Sequence, residues 1–299
     1  MLSVKNLNKS FGPIKAVNGV SFSAARGNIT IIAGADGAGK STVFRMILGL
    51  VKKDSGGIFI EGNPIKGNFS KVTRITGHMP EHFSLYSDLT VEENMDFFAD
   101  LQQVESQRKK ELKHRLLHRT GMLDFRKRRA GALSGGMKQK LALSTILLSS
   151  PEILILDEPT TGVDPLSRIE FFNIMEDLKE EKKTIIMATP YLDEAEKGDY
   201  IIFIKKGLSI KQGPIELMKH DFPARMFRIL PKGNIFEVVN VLNSYKEIRD
   251  NFYIRGRYIK CLCRGTPEFL SRINVYEVKE EKPTLEDVYL YYERGFEND

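Results

Sequence analysis

Nine consecutive residues, Gly34-Ala35-Asp36-Gly37-Ala38-Gly39-Lys40-Ser41-Thr42, carry three glycines, a lysine and two hydroxyls in the spacing G-x-x-x-x-G-K-[ST]. Each residue type has a chemical reason. Glycines let the backbone curl until successive N–H groups face inward around phosphate oxygens. A helix starting just behind them adds partial positive charge. Lys40 has the reach for terminal phosphates, the Ser41 hydroxyl is a Mg²⁺ ligand, and Thr42 is placed to hold the α-phosphate. Alone, this loop specifies a nucleoside triphosphate and leaves motor, kinase, GTPase and transporter ATPase open.

A second chemical signal is Ile153-Leu154-Ile155-Leu156-Asp157-Glu158-Pro159. An apolar strand ending in Asp sets a carboxylate at the edge of a sheet where doubly wound folds bind ligands. Asp157 there holds Mg²⁺, directly or through water, and Glu158 faces differently and can polarise an attacking water. Just upstream, Leu133-Ser134-Gly135-Gly136-Met137 opens a helix whose first N–H groups offer an anion site.

These groups need a scaffold that brings distant segments to one edge. Asn28 to Ala33, Glu152 to Leu156 and Thr184 to Thr189 read as buried strands, and Lys40 to Leu50 as a helix. Strands alternating with helices predict an α/β fold with a mostly parallel sheet over residues 1–215. Residues 89–133 are charged, helix-prone and poor in strand signals, and read as a helical insertion. A boundary falls near Gln212-Gly213-Pro214 or around Asp221-Phe222-Pro223, and residues 223–299 form a small α+β accessory domain. There Met226 to Leu230, Asn234 to Tyr245, Phe252 to Arg255, Tyr258 to Cys263, Pro267 to Ile273 and Val275 to Val278 follow the order β-α-β-β-α-β of a ferredoxin-like unit.

Composition narrows the class. Hydrophobic residues at 41% and charged residues at 28% exclude a mainly disordered chain. The apolar runs are far shorter than the ~20 residues of a membrane helix. No basic start followed by an apolar stretch marks a signal peptide. Two cysteines, Cys261 and Cys263, exclude a disulfide framework and fit a reduced cytosolic chain. The formal net charge of +6 admits an anionic partner without specifying one. Arg108-Lys109-Lys110 and Arg126-Lys127-Arg128-Arg129 read first as solvated helix faces, and second as an attraction to an anionic leaflet.

With these motifs in this order, the first 215 or so residues resemble the nucleotide-binding subunit of an ATP-binding cassette (ABC) transporter, a P-loop NTPase. The resemblance implies ATP and Mg²⁺ as cofactors, with Lys40, Glu158 and Asp164 in catalysis. It implies that Phe11 stacks on adenine and that Gly34, Ala35, Asp36, Gly37, Ala38, Gly39, Lys40, Ser41 and Thr42 form the Walker A loop. Ser134, Gly135 and Gly136 lie in the family signature, and Thr160-Thr161-Gly162-Val163-Asp164 looks like the D-loop. Two such subunits, in a homodimer or heterodimer, sandwich two ATP molecules, each between one Walker A loop and the other subunit's signature. Transmembrane permease subunits then dock a short helix in a cleft lined by Glu81 to Asp88. The chain would act at the cytoplasmic face of the membrane, held there by the permease, with no nucleic acid expected. Pro283-Thr284-Leu285-Glu286-Asp287-Val288-Tyr289 and Leu85-Tyr86-Ser87-Asp88-Leu89-Thr90-Val91-Glu92-Glu93-Asn94 are similar to segments of the bacterial drug- and antibiotic-export branch.

Two positions depart from the family pattern. Glu81 stands where the family usually has a glutamine ligand to the metal and the water. Pro190 stands where it usually has a switch histidine, and proline has neither a side-chain donor nor a backbone N–H. Losing one preorganised donor typically costs ~10²–10³ in rate, so the site built on this chain's own loop is expected to bind ATP and hydrolyse it slowly. His78 and His82, which flank Glu81, are the candidate substitutes. The competing function is a soluble cassette ATPase acting in translation or on DNA. Those usually carry a second cassette or a long coiled coil, and neither is visible here.

Overall fold

The computed structural model describes residues 1–67, 69–245, 251–263 and 275–294. It divides into two compact units, Met1–Gln212 and Gly213–Asp299.

The first unit contains two sheets. One is four-stranded, in the order β2-β1-β4-β5, from β1 (Leu2–Phe11), β2 (Ile14–Ala24), β4 (Ser55–Ile60) and β5 (Asn63–Pro64). Its pairings are antiparallel. The other is six-stranded, in the order β10-β9-β3-β8-β7-β6. It consists of β3 (Asn28–Ala33), β6 (Thr76–Met79), β7 (Ile153–Asp157), β8 (Thr184–Thr189), β9 (Tyr200–Lys205) and β10 (Leu208–Pro214). The pairings from β6 through β9 are parallel. Every residue of β7 and β8 is buried. That burial accounts for their unbroken apolar sequences, since a parallel strand is covered on both faces.

The helices of this unit are α1 (Lys40–Ile47), α2 (Ser70–Ile75), α3 (Val91–Leu101), α4 (Ser106–Arg119), α5 (Gly135–Leu147), α6 (Pro165–Glu180) and α7 (Leu192–Ala195). α3 begins with a full capping box, in which Thr90 accepts from the Glu93 N–H and Glu93 accepts from the Thr90 N–H. Two single 3-10 turns, Leu123–Phe125 and Ala130–Ala132, connect α4 to α5. The helix expected over Lys40 to Leu50 stops at Ile47, because Gly49 turns left-handed at φ 75° and closes it.

The second unit holds α8 (Ile215–His220), β11 (Arg225–Pro231), α9 (Ile235–Ser244), β12 (Phe252–Arg255), β13 (Tyr258–Cys263), β14 (Val275–Glu281) and α10 (Leu285–Arg294). Its sheet order is β12-β13-β11-β14, with every neighbour antiparallel. That is the strand order of a ferredoxin-like sheet. The helix expected over Pro267 to Ile273 lies outside the described residues. One sheet face, with Phe227, Ile229, Ile259 and Cys261, packs with Val238 and Leu242 of α9. The other, with Met226 and Leu262, packs with Tyr291 of α10.

Asp287 anchors α10 to this sheet. It is fully buried and accepts from Tyr253 Oη at 2.6 Å, Lys260 Nζ at 3.1 Å and the Thr284 N–H at 2.7 Å. Burial, then the bond to Asp287, holds the Tyr253 phenol neutral far above its ordinary range. Replacing Asp287 with Ala strands the buried Lys260 ammonium and should destabilise this unit by about 3 kcal/mol. Urea unfolding followed by tyrosine fluorescence measures that loss, and Asp287→Asn, which keeps acceptor capacity, should lose less.

Candidate functional site at the carboxyl edge of the parallel sheet

Register alone brings the chemistry together. Ala33 at the end of β3 lies opposite Thr189 at the end of β8, Ala188 opposite Asp157 at the end of β7, and Leu156 opposite Met79 at the end of β6. Hence Gly34, Glu81, Asp157 and Pro190 all emerge along one edge.

The loop Gly34–Gly39 is shaped by close backbone approach. A Cβ at Gly34 would sit 2.2 Å from the Ile204 carbonyl oxygen, and one at Gly39, where φ is 108°, would sit 2.3 Å from the Ala16 oxygen. No other residue type fits either position. Gly37 at φ 75° faces open space. Ala35, Asp36 and Gly37 are exposed, while Lys40 is 3% exposed. The Lys40 ammonium donates to the Gly34 carbonyl at 2.8 Å and the Ala35 carbonyl at 3.2 Å, and lies 3.1 Å from Glu158 Oε1. Glu158 occupies a left-handed backbone conformation at φ 50°, which costs a residue with a Cβ about 1–3 kcal/mol. It is held there by its N–H to the Ala188 carbonyl at 3.1 Å and by Thr161 Oγ1 to its Oε2 at 3.3 Å.

Asp157 is buried, and its Oδ1 has no hydrogen-bond partner. Burial raises its carboxyl above the ordinary carboxylate value against the pull of the Ser41 hydroxyl, and the nearby Glu158 and Glu81 charges raise it further. Among the described residues no three acidic side chains already close on one point, but Asp157 offers an orphaned buried oxygen beside the Ser41 hydroxyl, with the Glu158 and Glu81 charges near enough to act on it. That is the chemistry of a hard-cation site with oxygen ligands, and it suits Mg²⁺.

The remaining residues group elsewhere on the unit. Phe11 ends β1 half-exposed, with the Lys9 ammonium 5.2 Å from its ring centre. Through Gly12 the chain turns into β2, which carries the Ala16 carbonyl to Gly39. Thr42 is half-buried in the first turn of α1. Ser134 caps α5, accepting from the Met137 N–H at 3.3 Å. Gly135 and Gly136 lie against the start of α6. A Cβ at 136 would fall 2.4 Å from Ser167, and one at 135 would fall 3.3 Å from the Gly162 oxygen. Asp164 caps α6 through the Ser167 N–H at 3.0 Å, a bond that lowers its carboxyl below the usual range.

A second cavity of about 730 Å³ lies between β6 and the helices α3 to α5, lined by Arg74, His78, Phe83, Phe98, Gln102 and Arg108 among others. Of the stretch Glu81 to Asp88, only Phe83 lines it. Phe83 and Phe98 pack with ring centres 5.5 Å apart, and half-exposed Tyr86 meets Phe97 at 4.5 Å. His78 points into this cavity, and burial, then the Arg45 charge, lowers its pKa to about 4. The His82 ring is solvent-exposed, 3.9 Å from Glu81.

Sequence reasoning missed a polar cluster beside the edge. Glu194 on α7 is buried and accepts from Thr160 and Thr189, each at 2.7 Å, while Arg168 approaches at 3.4 Å. The signal in the sequence was thin: a short acidic helix start, Leu192-Asp193-Glu194-Ala195, that reads as a surface turn.

Comparison with known proteins agrees with this geometry. The family model described as ABC transporter matches residues 17–161. The chain is 35% identical over 271 residues to the probable multidrug ABC transporter ATP-binding protein YbhF of Escherichia coli, covering 88% of this chain and 46% of that protein. It thus spans about half the length of that relative. It is 31% identical to the Nod factor export ATP-binding protein I of a Rhizobium strain, covering 97% of this chain and 95% of that one. Among solved structures it is similar to cbiO1 from Clostridium perfringens, part of the ABC transporter complex cbiONQ. The TM-score is 0.68 at 28% identity, over 82% of this chain and 95% of that one. A loop that only glycine can build, a buried lysine behind it and two acids closing another strand of the same sheet thus have a known home: the chain belongs to the ABC transporter family, as an ATPase cassette of the kind found in its drug- and Nod-factor-export ATP-binding proteins.

Proposed function

We propose that this chain is the ATP-hydrolysing subunit of an exporter whose membrane path is built by separate permease subunits. The observation that carries the reading is the buried Lys40 ammonium, held by two loop carbonyls and Glu158 beside the orphaned Asp157 oxygen. A triphosphate satisfies both groups at once, supplying anionic oxygens to Lys40 and bringing a cation to Asp157.

In this reading the amides of Gly34 to Thr42 cradle the phosphates and Phe11 covers the adenine. Ser41, Asp157 and Glu81 would hold Mg²⁺, which neutralises phosphate charge when bound. Glu158 leaves Lys40 and orients the attacking water. Ser134, Gly135 and Gly136 of one subunit close over the nucleotide of the other, and Asp164 sits where the two subunits meet. The names of the relatives, multidrug ABC transporter and Nod factor export, favour export. No helix among the described residues is long and apolar enough to cross a membrane, so the reading assigns the crossing to partner chains and puts this subunit at the cytoplasmic face. The cavity with Phe83 and Phe98 on one wall is the place for the permease helix.

Pro190 makes this subunit's own site slow. Thr189 spends its hydroxyl on Glu194 and His78 turns into the other cavity, so neither replaces the missing histidine. Pro190→His should raise the steady-state ATPase rate of the purified chain about tenfold or more, with ATP affinity unchanged. No gain would sink the idea that this position limits turnover. Asp157→Asn should abolish the Mg²⁺ dependence of nucleotide binding, read by titrating Mg²⁺ against a fluorescent ATP analogue. Retained dependence would remove Asp157 from the metal site. Co-purification with membrane subunits tests the transport assignment. A chain that sediments with ribosomes or DNA and never with membranes would support the soluble alternative.

A further inference from the structure

Four carboxylates are buried among the described residues: Asp157, Glu158, Glu194 and Asp287. The first two belong to the proposed hydrolytic site and Asp287 to the second unit. Glu194 has no part in either, yet it is the best-coordinated side chain near Pro190. Thr160 Oγ1 donates to its Oε1 at 2.7 Å and Thr189 Oγ1 to its Oε2 at 2.7 Å. Both threonines are buried. Arg168 Nη1 lies 3.4 Å from Oε1, and Arg168 Nε donates to the Val163 carbonyl at 2.9 Å. The Arg168 guanidinium also lies over the Tyr191 ring at 5.0 Å, and the Tyr191 N–H donates to Thr189 Oγ1 at 3.1 Å.

These partners fall into two groups. Thr160 and Val163 belong to the turn from Glu158 to Asp164. Thr189 and Tyr191 flank Pro190. One carboxylate thus ties together the two segments that border the reacting groups. The tie reaches Glu158 one residue further on, because Thr161, next to Thr160, donates its hydroxyl to Glu158 Oε2 and its N–H to the Glu158 carbonyl at 3.2 Å. Proline at 190 adds to the demand on this tie. It contributes no donor of its own, so the path of the chain there is set by the bonds of Thr189 and Tyr191.

We propose that Glu194 is a positioning residue for hydrolysis, clamping the Glu158–Asp164 turn to the segment around Pro190 so that Glu158 is held in register with the nucleotide. The inference rests on the reading of Glu158 as the group that orients water. The charge of Glu194, rather than its bulk, is what the clamp needs. Two donors and a guanidinium all face oxygens, and an amide would turn an N–H toward one of the hydroxyls. Burial raises the Glu194 carboxyl above its ordinary value, opposed by the two threonine bonds and Arg168. An ion kept in so dry a place is expensive to hold unless its partners are fixed.

The test uses the full chain with Glu194→Gln, the valine pair Thr160→Val and Thr189→Val, and Glu158→Gln as the reference for lost chemistry. Measured are kcat and KM for MgATP, equilibrium binding of a fluorescent ATP analogue, and Tm. Glu194→Gln should lower kcat about tenfold while KM, binding and Tm stay close to the parent. The valine pair should lower kcat similarly with nucleotide binding retained, and its Tm should fall because it strands the buried carboxylate. In a Pro190→His background, Glu194→Gln should cancel most of whatever the histidine adds. If Glu194→Gln keeps kcat within twofold, the clamp has no role in turnover and the inference fails. If kcat, nucleotide binding and Tm fall together, Glu194 is a packing residue only and the inference also fails. Full turnover in Glu158→Gln would instead overturn the hydrolytic reading itself, a result separable from either of these.

Discussion

The buried ammonium of Lys40 is the constraint on which the cassette's geometry depends. Taking such an ion out of water costs several kcal/mol before compensation, and here the compensation comes from carbonyls of the loop it serves and from Glu158 across the sheet edge. The loop must therefore curl tightly enough to aim its carbonyls inward at Lys40. It does so only because Gly34 and Gly39 let it approach Ile204 and Ala16 to distances no Cβ permits. Glu158 in turn accepts a left-handed backbone to face Lys40. The strands β3, β7, β8 and β9 form a two-sided, largely apolar platform that keeps these approaches fixed.

Much of this could be read from residue order because the chemistry is contiguous. The phosphate loop, the acid pair after β7 and the Ser134 cap each occupy a few adjacent positions, and capping is a local interaction. The parallel strands β3, β7 and β8 were legible for a related reason, since full burial leaves runs of Ile, Leu and Met, whereas β6, Thr76-Gly77-His78-Met79, carries no such run. Two further things were not legible. The antiparallel sheet of β1, β2 and β4 has register shifts between Val4 and Leu7, Leu7 and Lys9, and Lys9 and Ser10, and such bulges erase the alternation by which a strand is recognised. The Glu194 cluster joins residues 34, 26 and 5 positions apart, and nothing local marks a glutamate that folding will bury.

The second unit follows a different logic. Its sheet is covered by α9 on one face and α10 on the other, and its described residues place a polar cluster around buried Asp287. The Thr284–Asp287 pair that read as part of a family tail segment proves to be the cap of α10, with Asp287 reaching past the cap to Tyr253 and Lys260. The same pair of residues thus starts α10 and anchors it to the sheet.

The contact between Gly136 and Ser167 has a mechanical corollary. Two helix starts meet there with no methyl group between them and no clearance to spare, so α5 cannot tilt toward α6 without pushing it. Any lever that tips the helical region hands its displacement to Asp164 at the head of α6, and the missing side chain at 136 works as a zero-backlash joint.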